Sequence, residues 1–333
     1  MKAFACALGG LALFAGAMFA DEPGYPDYVP QGNLSGELHS MGTDVMDTLT
    51  LAWLEIFRKA HPQVEATLEA RGANTTFPGL MSGESQLGPI SRAISAKEIE
   101  AFTKKFGYPP TEIRVTLGTY DAFGLSPPSA IFVHRDNPLN ELTLAQVEEI
   151  YAKDGNITTW GQLGLRGEWA DRPLAVWGLR LPNGTATFFQ EAAMHRRDFR
   201  PTMILRPLAD GLSRSAQRAP NGGVQAFVDI IAGVAQDRFA IGYAAPGYDA
   251  TGVKPLAIDG VSPTRENVAS LRYPLVRFTY IYLNRAPGKP LASNVKEFLG
   301  IVLSKQGQEL VAQRSGFLPL PARLVREELA KLQ

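Results

Sequence analysis

Cysteine is almost missing from this chain of 333 residues; the one present is Cys6. It lies in an apolar N-terminal stretch, so the remainder has no disulfide and no thiolate chemistry to draw on. Charge of one sign is equally scarce, with 33 Lys and Arg against 33 Asp and Glu. A nucleic-acid binder usually carries a basic surplus, and none exists here. Any anion must therefore be held by local geometry and not by a global field. Beyond residue 20 no run approaches the roughly 18 apolar residues that a membrane helix requires. His39, His61, His134 and His195 lie far apart, without H-x-x-x-H or Cys/His spacing for a metal. Gly83-Glu84-Ser85-Gln86-Leu87-Gly88 misses the G-x-S-x-G spacing of a nucleophile elbow. A Walker loop and a G-x-G-x-x-G after a strand are also lacking. The sequence thus gives no enzyme signature and no reason to expect a cofactor.

What is present is a globular chain. Hydrophobic residues make up 45%, enough to build real cores, and the length suggests two domains. Residues 1–20, MKAFACALGGLALFAGAMFA, have one lysine, an apolar core and small residues before Asp21. That is the pattern of a cleaved signal peptide, which directs the chain to the periplasm. Losing Lys2 with it leaves a net charge of −1. Residues 21–31 carry Pro23, Pro26 and Pro30 and read as an extended leader.

Strand-like and helix-like stretches then alternate, which favours an α/β architecture. Residues 44–59 place Met46, Leu49, Trp53 and Phe57 at helical spacing. Residues 63–70 alternate as a short strand. Ser95 with Glu98, Thr143 with Gln146, and Asn294 with Glu297 each have the spacing of a capping box opening a helix. Residues 129–134, 173–178, 239–243 and 275–283 read as strands, and 224–234 as a helix. A charged helix closes the chain after Gly316-Phe-Leu-Pro-Leu-Pro.

Three polar segments share one design. Gly42-Thr43-Asp44, Gly72-Ala73-Asn74-Thr75-Thr76 and Asn183-Gly184-Thr185 each stand where a strand hands over to a helix. Helix N-termini present unsatisfied backbone N–H groups and a positive dipole end, which suit an anion. Hydroxyls add donors, and glycine lets the backbone come close. Taken singly, each segment is as well explained by ordinary capping. Arg92 and Arg180 stand near these segments, and guanidinium binds oxyanions in fork geometry. The plain alternative for either arginine is a surface salt bridge.

The order of these motifs resembles the phosphate-binding proteins of bacterial ABC transporters. The resemblance runs from about Gly42 to Pro321. It is carried by GTDVM with LAWLEIF, GPISR, FVHRDNPLNELTLAQVEEIYAKDGNITTWGQLG, NGTATFFQE, FAIGYAA, YPLVRFTYIYLN and VLSKQGQELVAQRSGFLPLP. It implies the type II periplasmic-binding-protein fold, α/β, with two lobes, two crossover strands and a ligand cleft between them. Lobe one would be 32–133 plus 245–333, and lobe two 134–244. By the same resemblance Thr43, Asp44, Asn74, Thr75, Thr76, Ser91, Arg92, Arg180, Asn183, Gly184 and Thr185 would hold the ligand. The implied role is capture of inorganic phosphate and delivery to an inner-membrane permease by a monomer.

The chain departs from the family pattern in four places. Asn183 replaces a serine, and its interval from Arg180 is one residue shorter than usual. Val45 stands where threonine is common, and Ser91 where some members place aspartate. A carboxylate acceptor distinguishes protonated phosphate from sulfate, which has no proton to donate. Asp44 is the candidate acceptor. The alternatives are another oxyanion on the same fold (sulfate, molybdate or a phosphonate) or a secreted binding module outside transport. A phosphatase is disfavoured, because no metal cluster or nucleophile–base pair is visible.

Overall fold

The computed structural model describes residues 24–121, 126–181, 184–206, 224–248, 251–314 and 316–333. The signal-peptide expectation, on residues 1–20, and Asn183 lie outside the described residues. The first elements are β1 (Gly36–Gly42), α1 (Asp47–Ala60), β2 (Val64–Ala70), α2 (Thr76–Ser82), β3 (Gly88–Ile90), α3 (Ala96–Phe106) and β4 (Thr111–Thr119). Next come β5 (Ala130–His134), β6 (Glu141–Leu142), α4 (Leu144–Tyr151), β7 (Ala175–Leu179), α5 (Gly184–Met194), β8 (Ile204–Arg206), α6 (Gln225–Gln236) and β9 (Ala240–Ala244). The chain ends with β10 (Val253–Pro255), β11 (Ala257–Ile258), α7 (Arg265–Ala269), β12 (Phe278–Leu283), α8 (Ser293–Val302), α9 (Lys305–Arg314), β13 (Phe317–Leu318) and α10 (Ala322–Ala330).

The strands sort into two main sheets. One has the order β13-β4-β12-β3, with the parallel pair β1-β2 attached through a bridge from Ser40 to Leu87. The other has the order β10-β5-β9-β7-β8, parallel through β9-β7-β8 and antiparallel at β5. Two segments link them, 120–129 and 245–277, the second of which also contributes β10 to the second sheet. The connectors are bonded to each other and to the sheets: Gly118 N donates to Arg277 O (2.6 Å), Gly247 N to Tyr120 O (3.1 Å) and Ser129 N to Leu275 O (3.2 Å). A Cβ on Gly118 would collide with the Ser126 carbonyl, so only glycine permits that approach.

Apolar periodicity explains the cores. In α1, Leu49, Trp53, Leu54 and Phe57 are buried at helical spacing, and Trp53 Nε1 donates to Gly307 O (3.0 Å). In the second lobe the rings of Phe189 on α5 and Tyr243 on β9 stack at 4.0 Å, with Tyr151 edge-on. The Tyr243 hydroxyl accepts from Leu179 N (3.0 Å), which ties the end of β7 to the same cluster.

Some local expectations need correction. Residues 44–46 form a 3₁₀ turn, and the α-helix starts at Asp47. Asn294 and Glu297 do not form a capping box: the N-cap of α8 is Ala292, with no side-chain cap. Both side chains are taken by distant partners. Asn294 Nδ2 donates to Ser35 O (3.1 Å) and Glu37 O (3.3 Å). Glu297 Oε1 accepts from the Tyr28 hydroxyl (2.7 Å) and Gln31 N (2.8 Å), with His61 Nε2 at 3.1 Å. Residues 24–31, the described part of the leader, are thereby strapped to α1 and α8. Lys305 N to Pro26 O (2.7 Å) and the Tyr25 hydroxyl to Leu320 O (2.6 Å) extend the strap. Among the described residues no helix is long and apolar enough to cross a membrane.

Candidate functional site

Each of the three polar segments does lie where a strand passes into a helix. β1 runs into the 3₁₀ turn before α1, β2 into the turn before α2, and β7 toward α5. The first two are joined through one carbonyl. Thr43 N (2.9 Å) and the Thr76 hydroxyl (3.2 Å) both donate to Pro89 O, and Gly72 N donates to Gly42 O (3.0 Å). A Cβ on Gly42 would strike Pro89 O and come within 2.9 Å of Thr76 Oγ1. Glycine is therefore the residue that lets these backbones converge.

Within this knot Thr43, Thr76 and Ser91 are buried, Asp44 and Thr75 are half-buried, and Asn74 is exposed. The Thr43 hydroxyl accepts from Val45 N (3.3 Å), and the Thr75 hydroxyl donates to Gly72 O (2.9 Å). Arg92 leaves the same cluster and forks onto Glu98, with Nη1 to Oε2 at 2.8 Å and Nη2 to Oε1 at 2.7 Å. Burial raises the Glu98 carboxyl, but the Arg92 fork and the Ser95 hydroxyl and amide outweigh it. The group is held below the ordinary carboxylate range. The salt-bridge alternative for Arg92 is thus realised, although its guanidinium still borders the cleft.

On the other side Arg180 stands at the exposed end of β7, its backbone N bonded to Arg206 O (3.0 Å). Its side chain makes no hydrogen bond among the described residues. Gly184 and Thr185 open α5, whose buried residues Thr185, Ala186, Phe189, Ala193 and Met194 follow the helical repeat. Arg92 and Gly184 line one cavity of about 240 Å³, together with Phe188, Glu191, Arg277 and Tyr280. Residues of the first sheet and of α5, which packs on the second, therefore meet across that space.

Arg277 escaped sequence reasoning. It is 3% exposed, Nη1 donates to Thr185 Oγ1 (3.0 Å), and Nε has no hydrogen-bond partner. No carboxylate forms a salt bridge with it among the described residues, and burial pushes its guanidinium down to about 10. A signal did exist. Leu275, Arg277, Thr279, Ile281 and Leu283 occupy alternate positions and are all buried, so the period of two places an arginine on the core face.

Two α/β lobes joined by two bonded connectors, with helix N-termini and cationic side chains bordering the gap, define a two-lobed binder of small anions. A family profile described as a PBP superfamily domain matches residues 29–306. The phosphate-binding protein PstS of Pseudomonas aeruginosa is 35% identical over 330 residues, spanning 96% of this chain and 94% of its own. Protein SphX of Synechococcus elongatus is 26% identical, spanning 85% and 77%. Among solved structures, an ABC-type phosphate transport receptor from Vibrio cholerae has a TM-score of 0.57 at 20% identity, spanning 85% and 100%. PstS from Borrelia burgdorferi has a TM-score of 0.61 at 17% identity, spanning 86% and 100%. The chain belongs to the PBP superfamily, in the family of the PstS phosphate-binding proteins. The fold expected from the resemblance is the fold these structures share with it, and the relatives' names describe binding proteins and receptors, not enzymes.

Proposed function

We propose that the protein is a periplasmic solute receptor that captures inorganic phosphate between its lobes and hands it, as a monomer, to an inner-membrane ABC permease. The observation that carries this reading is the convergence of the segments at 42–44, 72–76 and 89–92 on Pro89 O, with the N-terminus of α5 bordering the same cleft as Arg92. The names of the relatives support phosphate as the ligand and an ABC transporter as the setting. Lobe one comprises 32–133 and 245–333, and lobe two 134–244. Within those bounds β5 and β10, at 130–134 and 253–255, pair in the second sheet and belong with lobe two. Export through a cleaved signal peptide rests on the pattern of residues 1–20.

In this reading the hydroxyls of Thr43 and Ser91 and the amide of Asn74 hold phosphate oxygens from one side, and those of Thr75 and Thr76 join them by turning away from Gly72 O and Pro89 O. Asn183, Gly184 and Thr185 hold them from the other. Arg180 and Arg92 neutralise charge, and Asp44 accepts the phosphate proton. A micromolar dissociation constant corresponds to about −8 kcal/mol. A handful of charge-assisted bonds at roughly 1.5–3 kcal/mol each supplies that after desolvation and closure are met.

The test is titration calorimetry with inorganic phosphate on protein unfolded and refolded to strip retained ligand, with sulfate as competitor. One-to-one binding that sulfate does not displace is the expected result. Refolded protein that ignores phosphate overturns the reading and points to Val45, Ser91 and Asn183 as the residues that changed the ligand.

A further inference from the structure

A fully buried arginine is rarely left without a carboxylate, because the cost of removing the charge from water is then uncompensated. Among the described residues no carboxylate forms a salt bridge with Arg277; Glu191 only attracts it across the same cavity, and its other surroundings add to the cost. Nη1 donates to Thr185 Oγ1 at 3.0 Å, and a Cβ built on Gly184 would stand 3.0 Å from Nη2. The guanidinium edge thus lies against the first turn of the 11-residue helix α5. That end of the helix is itself positive. Two positive groups face each other, and Nε is buried without a partner. A negatively charged acceptor at this end of α5 offsets both positive groups.

Resting on the phosphate-receptor reading, we propose that Arg277 is the positioning residue of the anion site at α5 and acts through Thr185. Guanidinium has no acceptor atom, so Thr185 must be the acceptor in their hydrogen bond. That bond fixes the Thr185 side chain at the first turn of α5. The full charge beside it, added to the positive end of the helix, sets a potential that a bound anion offsets. Burial, with the nearby charge of Arg92, pulls the guanidinium down to about 10, and it remains charged at neutral pH. The backbone of Arg277 belongs to the connector bonded to Gly118 N, so the same residue joins the hinge to the lobe that carries α5.

The experiment is calorimetric titration of inorganic phosphate into wild type, Arg277→Met, Arg277→Lys, Thr185→Val and the Thr185→Val/Arg277→Met double variant, with melting curves of each ligand-free protein. Arg277→Met is expected to weaken binding at least tenfold. Arg277→Lys, which keeps the charge and loses the planar guanidinium, should fall between it and wild type. The double variant should lose less than the product of the two single losses, since both substitutions remove one device. A merely structural arginine would lower the melting temperature and leave affinity within twofold, and that result overturns the inference. So do losses that multiply, which would mean Arg277 acts independently of Thr185. If Arg277→Met does not fold, the Arg277→Lys affinity decides: equality with wild type overturns the proposal. A wild type that binds no phosphate overturns the receptor reading instead, so the two failures are distinct.

Discussion

Arg92 and Arg180 carry the same charge in different circumstances. Arg92 is forked on Glu98 and half-buried, whereas Arg180 is exposed at the end of β7. A guanidinium already satisfied by a carboxylate has less to gain from a second anion. Arg180→Ala is therefore expected to weaken phosphate binding tenfold or more, and Arg92→Ala by a smaller factor, in the same titration. Equal losses would show that Arg92 leaves Glu98 when ligand arrives. Glu98 also has a pH signature. Its carboxyl is held below the ordinary value, so its stabilisation is present above about pH 4.5 and disappears as pH falls through the depressed value. Wild type should lose stability faster than Glu98→Gln in that acid window, read as melting temperature against pH.

At the scale of elements, the local devices were the legible ones. The boxes at Ser95–Glu98 and Thr143–Gln146 close as their spacing implies, because every partner lies within one turn. Asn294 and Glu297 have the same spacing and fail, because Ser35, Glu37, Tyr28 and His61 compete for them from far along the chain. Arg277 was missed for the same physical reason: its partner Thr185 lies 92 residues away. The polar segments at 42–44 and 72–76 were readable as helix starts, but their meeting at Pro89 O was not. The strap formed by residues 24–31 also follows from remote partners. Its anchor, Glu297, is buried with two donors and His61 on a single oxygen, and burial and Glu297 raise the Tyr28 hydroxyl well above its usual value. Glu297→Ala should cost about 3 kcal/mol of unfolding free energy, seen as a lower denaturant midpoint with an unchanged slope.

For the whole molecule, family membership was readable from the ordered motifs, since a fold that spans nearly the whole chain leaves its mark throughout. Recognition of a ligand by the folded state alone also has a thermodynamic consequence. At a phosphate concentration one hundred times the dissociation constant, the native state gains about 2.7 kcal/mol. Melting temperature should rise by several degrees with phosphate and stay fixed with sulfate; a rise with both would reassign the ligand class.

The two connectors deserve a mechanical reading. Because Gly118 is bonded to Arg277, Tyr120 to Gly247 and Leu275 to Ser129, they form one cross-linked ribbon and not two independent strings. A ribbon bends easily about one axis and resists twist and sideways shear. A rotation of one lobe against the other on such a ribbon has a single angular coordinate, which would return loops carried on opposite lobes to the same register.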